Sequence, residues 1–112
     1  MNTLVHCHLD SLSENAEQLT SGTRFQAGYT ELVVYIVSGG SSEGYVNTYD
    51  LWELFGCDEL TIDGILEELE ALGLILFKHC KCGFSTRFAL PIVDIDGSEQ
   101  IVPGDYSAYF SA

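Results

Sequence analysis

Residues 51–75 constrain the fold of this chain most, because their apolar side chains recur at helical spacing on both sides of Gly56. The first part predicts a short helix whose inner face carries Leu51, Leu54 and Phe55. Gly56 predicts the turn, since glycine adopts a positive φ at little cost. A second helix follows, and its predicted buried stripe consists of Ile62, Ile65, Leu66, Leu69 and Leu72. Gly73 suits the position after this helix.

Polar residues mark where both helices begin. Asn47 or Thr48 is predicted to cap the first helix, and Asp50 would lie in its first turn, near the positive end of the helix dipole. Asp58 or Thr61 is predicted to cap the second helix.

Two hairpins are predicted after the helix pair. Residues 74–79 and 84–90 read as strands of one hairpin, and Tyr45 and Val46 are expected to pair briefly with it. Residues 91–95 and 99–102 flank an Asp-Gly turn signal and predict the second hairpin.

The two ends of the chain carry weaker patterns. Residues 3–9 alternate as in a short strand, with Asp10 or Ser11 capping a helix after it. Residues 28–38 suit a helix or a strand, and we favour the helix. Near the C-terminus, aromatic residues at helical spacing are expected to dock on the domain's own core, with an oligomer contact as the alternative: Tyr106, Tyr109 and Phe110.

This order of elements resembles the winged helix-turn-helix family, which binds DNA. The residues that match the family pattern in type and spacing are Leu51, Phe55, Gly56, Thr61, Ile62, Leu66, Leu69, Glu70, Gly73, Leu74 and Ile75. The resemblance implies a single α+β domain over residues 1–112, with three to four helices. Its helix-turn-helix would span residues 48–73 and its β-hairpin wing residues 74–90, followed by a C-terminal extension over residues 91–112.

Two departures from the family pattern bear on function. Trp52 stands where the family usually has alanine, at the close contact between the two helices. It is either a core filler or an exposed anchor for a partner. The second departure is charge, because the positions that would enter the major groove are Asp58, Glu59, Thr61, Asp63, Gly64, Glu67 and Glu68.

Charge therefore argues against DNA as the ligand of this helix. The chain has 17 acidic residues against four basic ones, for a net charge of −13, whereas DNA-binding proteins attract phosphates with Lys and Arg. We expect a non-enzymatic module that binds a protein with a basic surface, unless the acidic face is simply solvated. The expected partner-binding residues are Trp52, Asp58, Glu59, Asp63, Glu67 and Glu68. In size and charge alone, the chain resembles phage-encoded inhibitors such as anti-CRISPR proteins and other DNA mimics.

Three of the four cations fall in the predicted wing, together with a histidine: Lys78, His79, Lys81 and Arg87. We expect them to neutralise acids such as Asp94 and Asp96. The alternative is a transcription regulator that binds DNA through the wing as a dimer, and a further alternative is a structural or assembly subunit. The opposite charges of wing and helix would also suit a homodimer.

Other functions find little support in the sequence. A zinc site would need His6, His8, Cys80 and Cys82, but Cys-x-Cys is a weaker signal than Cys-x-x-Cys, so neither metal nor cofactor is expected. We find no nucleophile motif and no Gly-rich phosphate loop, and therefore expect no enzyme. The chain shows no apolar run that would span a membrane and no signal-peptide pattern, so we expect a cytoplasmic protein with free thiols.

Overall fold

The described part of the computed structural model comprises residues 2–104, with side chains from residue 9 onward, and it has an α+β fold. Within it, four helices and two small antiparallel sheets follow one another along the chain. The elements are α1 (Asn2–Leu19), α2 (Gln26–Val37), β1 (Glu43–Asn47), α3 (Thr48–Phe55), α4 (Glu59–Ala71), β2 (Leu76–His79), β3 (Ser85–Ala89), β4 (Ile92–Ile95) and β5 (Ser98–Ile101).

The N-terminal region is helical, so the predicted strand over residues 3–9 and the cap at Asp10 or Ser11 are wrong. Helix α1 runs without interruption from Asn2 to Leu19 and packs on α2 and β5. Leu12 and Ala16 are buried at helical spacing along this contact. The period-two pattern of residues 3–9 is short, whereas most of the stability of a helix comes from its packing against neighbouring elements.

The helix pair begins where the polar residues predicted. The Asn47 side chain caps α3 by accepting a hydrogen bond from the Asp50 backbone N–H at 2.9 Å. The Asp58 side chain caps α4 by accepting from the Thr61 N–H at 3.1 Å. These bonds satisfy N–H groups that have no partner within their own helix.

Glycines end both helices, as predicted, with φ of 60° at Gly56 and 74° at Gly73. The predicted buried stripe of α4 is confirmed at Ile62, Ile65, Leu66 and Leu69. It is wrong at Leu72, which is 53% exposed because α4 ends at Ala71 and Leu72 lies in its C-cap.

The strands form a three-stranded sheet of order β1-β3-β2 and a separate β4–β5 hairpin. The pairing of Tyr45 and Val46 with the first hairpin is confirmed and extends over all of β1. Asp96 and Gly97 both have positive φ at the turn of the second hairpin, as the Asp-Gly signal predicted.

The core lies between the helices and the inner face of the three-stranded sheet. Tyr29 of α2 is fully buried, and its hydroxyl donates a hydrogen bond to the Leu74 carbonyl oxygen at 2.9 Å. Burial raises the pKa of Tyr29 well above its usual value, so the hydroxyl remains a donor. This bond ties α2 to the segment that leads from α4 into β2.

Replacing Tyr29 with phenylalanine should lower the free energy of unfolding by about 1.5 kcal/mol, because the buried Leu74 carbonyl loses its Tyr29 hydrogen bond. Urea denaturation of the wild type and the variant measures the difference. Tyr45→Phe is the matched control, since Tyr45 is mostly exposed, and it should leave the stability unchanged. Equal stabilities of Tyr29→Phe and wild type would contradict the assigned role of the hydroxyl.

Candidate binding surface

Two acidic side chains of α4 contact other elements on opposite flanks of the helix. On one flank, Asp63 Oδ1 lies 2.9 Å from His79 Nε2 of β2. On the other flank, Glu68 forms an ion pair with Arg24, which lies in the connection between α1 and α2. Asp58 is occupied as the N-cap of α4. Three of the predicted partner-binding carboxylates therefore already have intramolecular contacts.

The outermost ridge of α4 is less acidic than its flanks. Leu60, Gly64, Glu67 and Ala71 follow one another at i, i+4, i+7 and i+11, and all four are exposed. Leu60 is 91% exposed, which is unusual for so large an apolar side chain. This ridge was predictable from the sequence, since its positions lie opposite the buried stripe on a helical wheel.

Helix α3 presents an outer face that includes Trp52. The residues Tyr49, Trp52, Glu53 and Gly56 recur at i, i+3, i+4 and i+7, and the Tyr49 and Trp52 rings meet edge to face at 5.4 Å. Trp52 is half-buried: it packs against the core on one side and lines an open groove on the other. The indole thus reaches the surface while still contributing to the core.

His79 joins the predicted wing to α4. Its Nδ1 lies 2.7 Å from the Thr86 hydroxyl, and its Nε2 contacts Asp63 of α4. Thr86 is buried and lies directly opposite His79 in the β2–β3 register. His79 is therefore a structural link between hairpin and helix in this conformation.

The hairpin is also attached to α3. The Thr48 backbone N–H donates to the Phe84 carbonyl oxygen at 3.0 Å, and the Thr48 hydroxyl donates to the Gly83 carbonyl oxygen at 3.1 Å. Phe84 itself is 74% exposed beside the start of α3. These bonds hold the hairpin tip against the start of α3.

The remaining cations of the hairpin differ in their surroundings. Arg87 donates to Glu43 Oε1 across the β1–β3 pair at 2.7 Å. Arg87 therefore neutralises Glu43 and not Asp94 or Asp96, which the sequence had predicted as its partners. Lys78 and Lys81 have no ion pair with any residue in the described part of the chain. Sequence spacing cannot identify such pairs, because Glu43 and Arg87 meet only when β1 joins the sheet.

Metal binding finds no support in the described residues, among which no cluster of three or more His, Cys, Asp or Glu side chains is suited to a metal ion. Cys80 and Cys82 lie in the β2–β3 turn as free thiols, while the His6 and His8 side chains lie outside the described residues.

Cys57 is a weak candidate for nucleophilic chemistry. Burial and the neighbouring Asp58 raise the pKa of its thiol, against a smaller opposing effect of Arg24. A raised pKa reduces the thiolate fraction, which is the reactive form. Cys57 lines the open groove beside Trp52.

No protein-family model, curated protein or solved structure matches this chain. None of the helices within residues 2–104 combines the length and the apolar composition that a membrane crossing requires. The predicted docking of the C-terminal aromatic residues on the domain's own core, and the alternative of an oligomer contact, stay predictions, because Tyr106, Tyr109 and Phe110 lie outside the described residues.

Proposed function

We propose that this protein is a non-enzymatic binding module whose acidic face covers a basic, nucleic-acid-binding surface of another protein. The scaffold we propose for it is a winged helix-turn-helix. Support for that scaffold comes from the order α2, β1, α3, α4, β2, β3 and from the sheet order β1-β3-β2. A phage-encoded inhibitor or DNA mimic would have this combination of small size and high negative charge.

The imbalance of charge around α4 carries the proposal. From residue 58 to residue 70 the chain has six carboxylates and neither Lys nor Arg. Arg24 and Arg87 are already paired with Glu68 and Glu43, so half of the four basic residues are neutralised internally. A field of this sign attracts a basic protein surface and repels phosphates.

Reversing two charges on α4 should weaken the binding of a basic ligand. Glu59→Lys combined with Glu67→Lys is the suitable variant, because both side chains are exposed and neither is the cap or a salt-bridge partner. With a short polylysine peptide at low ionic strength, where charge effects are largest, we expect about tenfold weaker binding by isothermal calorimetry.

The matched control reverses two exposed charges on α1, Glu14→Lys combined with Glu17→Lys, and changes the net charge equally. Equal losses in both variants would show that only net charge matters and would contradict a binding face on α4. The same pair serves in affinity capture from the native host: a genuine partner binds wild type and the α1 variant and is lost with the α4 variant.

One observation favours a second function. Lys78 and Lys81 lie on the predicted wing and have no ion pair within the described residues. In a transcription regulator, both side chains would be available to contact DNA phosphates. A gel shift with random duplex DNA separates the two proposals. Binding that weakens steeply with salt supports the regulator, and absence of binding at low salt overturns it.

A further inference from the structure

An open groove between α3 and the start of α4 brings aromatic and acidic side chains together. It is lined by Tyr49, Trp52, Glu53, Gly56, Cys57, Asp58 and Thr61, and its volume is about 940 Å³. None of these residues is basic. The groove therefore combines two aromatic rings with two carboxylates on a surface open to solvent.

The aromatic pair offers ring surface to a ligand. Tyr49 is 73% exposed, although α3 has an apolar side toward the core on which an aromatic residue would find more burial. Trp52 is held by its contacts with the core, and its ring supports Tyr49 edge to face at an interplanar angle of 78°. Aromatic faces arranged in this way attract cations through the negative potential above the ring.

Two carboxylates in the groove provide negative charge and hydrogen-bond acceptors for a bound cation. Glu53 is exposed on the outer face of α3, and no hydrogen bond or ion pair within the described residues engages its side chain. Asp58 accepts the Thr61 N–H through Oδ1, and its Oδ2 accepts no hydrogen bond within the described residues. A nucleotide would also stack its base on a ring, but its phosphates would meet these two negative charges.

We infer that this groove holds an arginine side chain of the partner, stacked on the exposed Tyr49 ring, in contact with Trp52 and hydrogen-bonded to Glu53 and Asp58. A guanidinium group is planar, stacks on aromatic rings and donates up to five hydrogen bonds, whereas an ammonium group is a compact and strongly hydrated charge. The groove thus prefers arginine to lysine, while the acidic flanks of α4 attract both alike. The inference rests on the proposed function and specifies the chemistry of its partner.

The only tryptophan of the chain reports directly on the groove. We would titrate the full-length protein with an arginine peptide and with a lysine peptide of equal length and follow Trp52 emission. The arginine peptide should change the emission saturably and bind about fivefold more tightly than the lysine peptide, as a partly desolvated cation–π contact implies.

Tyr49→Ser should remove most of the preference for arginine and leave the affinity for lysine nearly unchanged. Tyr49 is exposed, so the substitution should leave the fold intact, and Tyr45→Ser, at another exposed tyrosine, is the matched control. A second variant, Glu53→Gln, should weaken arginine binding about threefold, whereas Glu31→Gln on the exposed side of α2 should not.

The outcomes separate this inference from the proposed function. Equal affinities for the two peptides, with unchanged Trp52 emission, overturn the arginine groove. If the Glu59→Lys, Glu67→Lys variant still weakens both peptides in that case, the acidic binding face stands without the groove. If arginine is preferred and Tyr49→Ser abolishes the preference while the α4 variant has no effect, the groove stands and the acidic face is overturned. Binding of neither peptide overturns both.

Discussion

Replacing Gly73 with alanine should lower the free energy of unfolding by about 3 kcal/mol, through left-handed strain and a backbone collision together. Gly73 has φ of 74°, where a side chain is strained in any surroundings. A Cβ atom there would also lie 2.5 Å from the nitrogen and 2.6 Å from the carbonyl oxygen of Gly104. Because these are backbone atoms, no side-chain rotation can relieve the collision.

Gly56 provides the matched control for this effect. It also follows a helix with a left-handed φ, 60°, but a Cβ atom there would meet nothing within 4 Å. Gly56→Ala should therefore cost only the strain, about 1 kcal/mol. Urea denaturation followed by Trp52 fluorescence measures both variants. Equal losses would mean that the chain at Gly104 moves aside freely and would contradict a fixed contact between the end of α4 and the residues after β5.

The middle of the fold was predictable because its signals are local. An Asx cap, a glycine stop and an apolar stripe each act within one helix, so the order α3, turn, α4 followed from residues close together in sequence. The Asp96-Gly97 turn was equally local. For the same reason, only the second half of α1 was predicted: α1 packs on α2 and on β5, and β5 lies far along the chain.

The candidate surface was predictable in its charge and not in its geometry. The excess of carboxylates on α4 is visible in the sequence. Their partners are not, since Asp63 meets His79 and Glu68 meets Arg24 only after the elements assemble. Trp52 shows the same limit, because its half-burial depends on how α3 lies against α4 and the core. Only the assembled chain places Tyr49, Glu53 and Asp58 around one groove.

Alanine at Gly28 and alanine at Gly64 should have opposite effects on stability, although both glycines lie inside helices. A Cβ atom at Gly28 would lie 2.8 Å from Cε1 and 2.9 Å from Cγ of Phe55, and closer still to Cδ1. A Cβ atom at Gly64 would meet nothing within 4 Å. We expect Gly28→Ala to lower the free energy of unfolding by about 2 kcal/mol, after allowing for its better helix propensity. Gly64→Ala should raise it by about 0.7 kcal/mol.

The stability loss in Gly28→Ala tests whether the contact between Gly28 and Phe55 positions α3 and the groove beside it. Phe55 is partly buried and packs against the core, so we expect its ring to leave Gly28 only together with the end of α3. Adding Phe55→Leu to Gly28→Ala should recover about 1 kcal/mol, because the smaller side chain leaves space for the new methyl group. Trp52 lies one helical turn before Phe55, so its emission should shift in Gly28→Ala and remain unchanged in Gly64→Ala. A stability loss in Gly28→Ala without any change in Trp52 emission would mean that Phe55 yields alone, and that the α2–α3 contact does not set the shape of the groove.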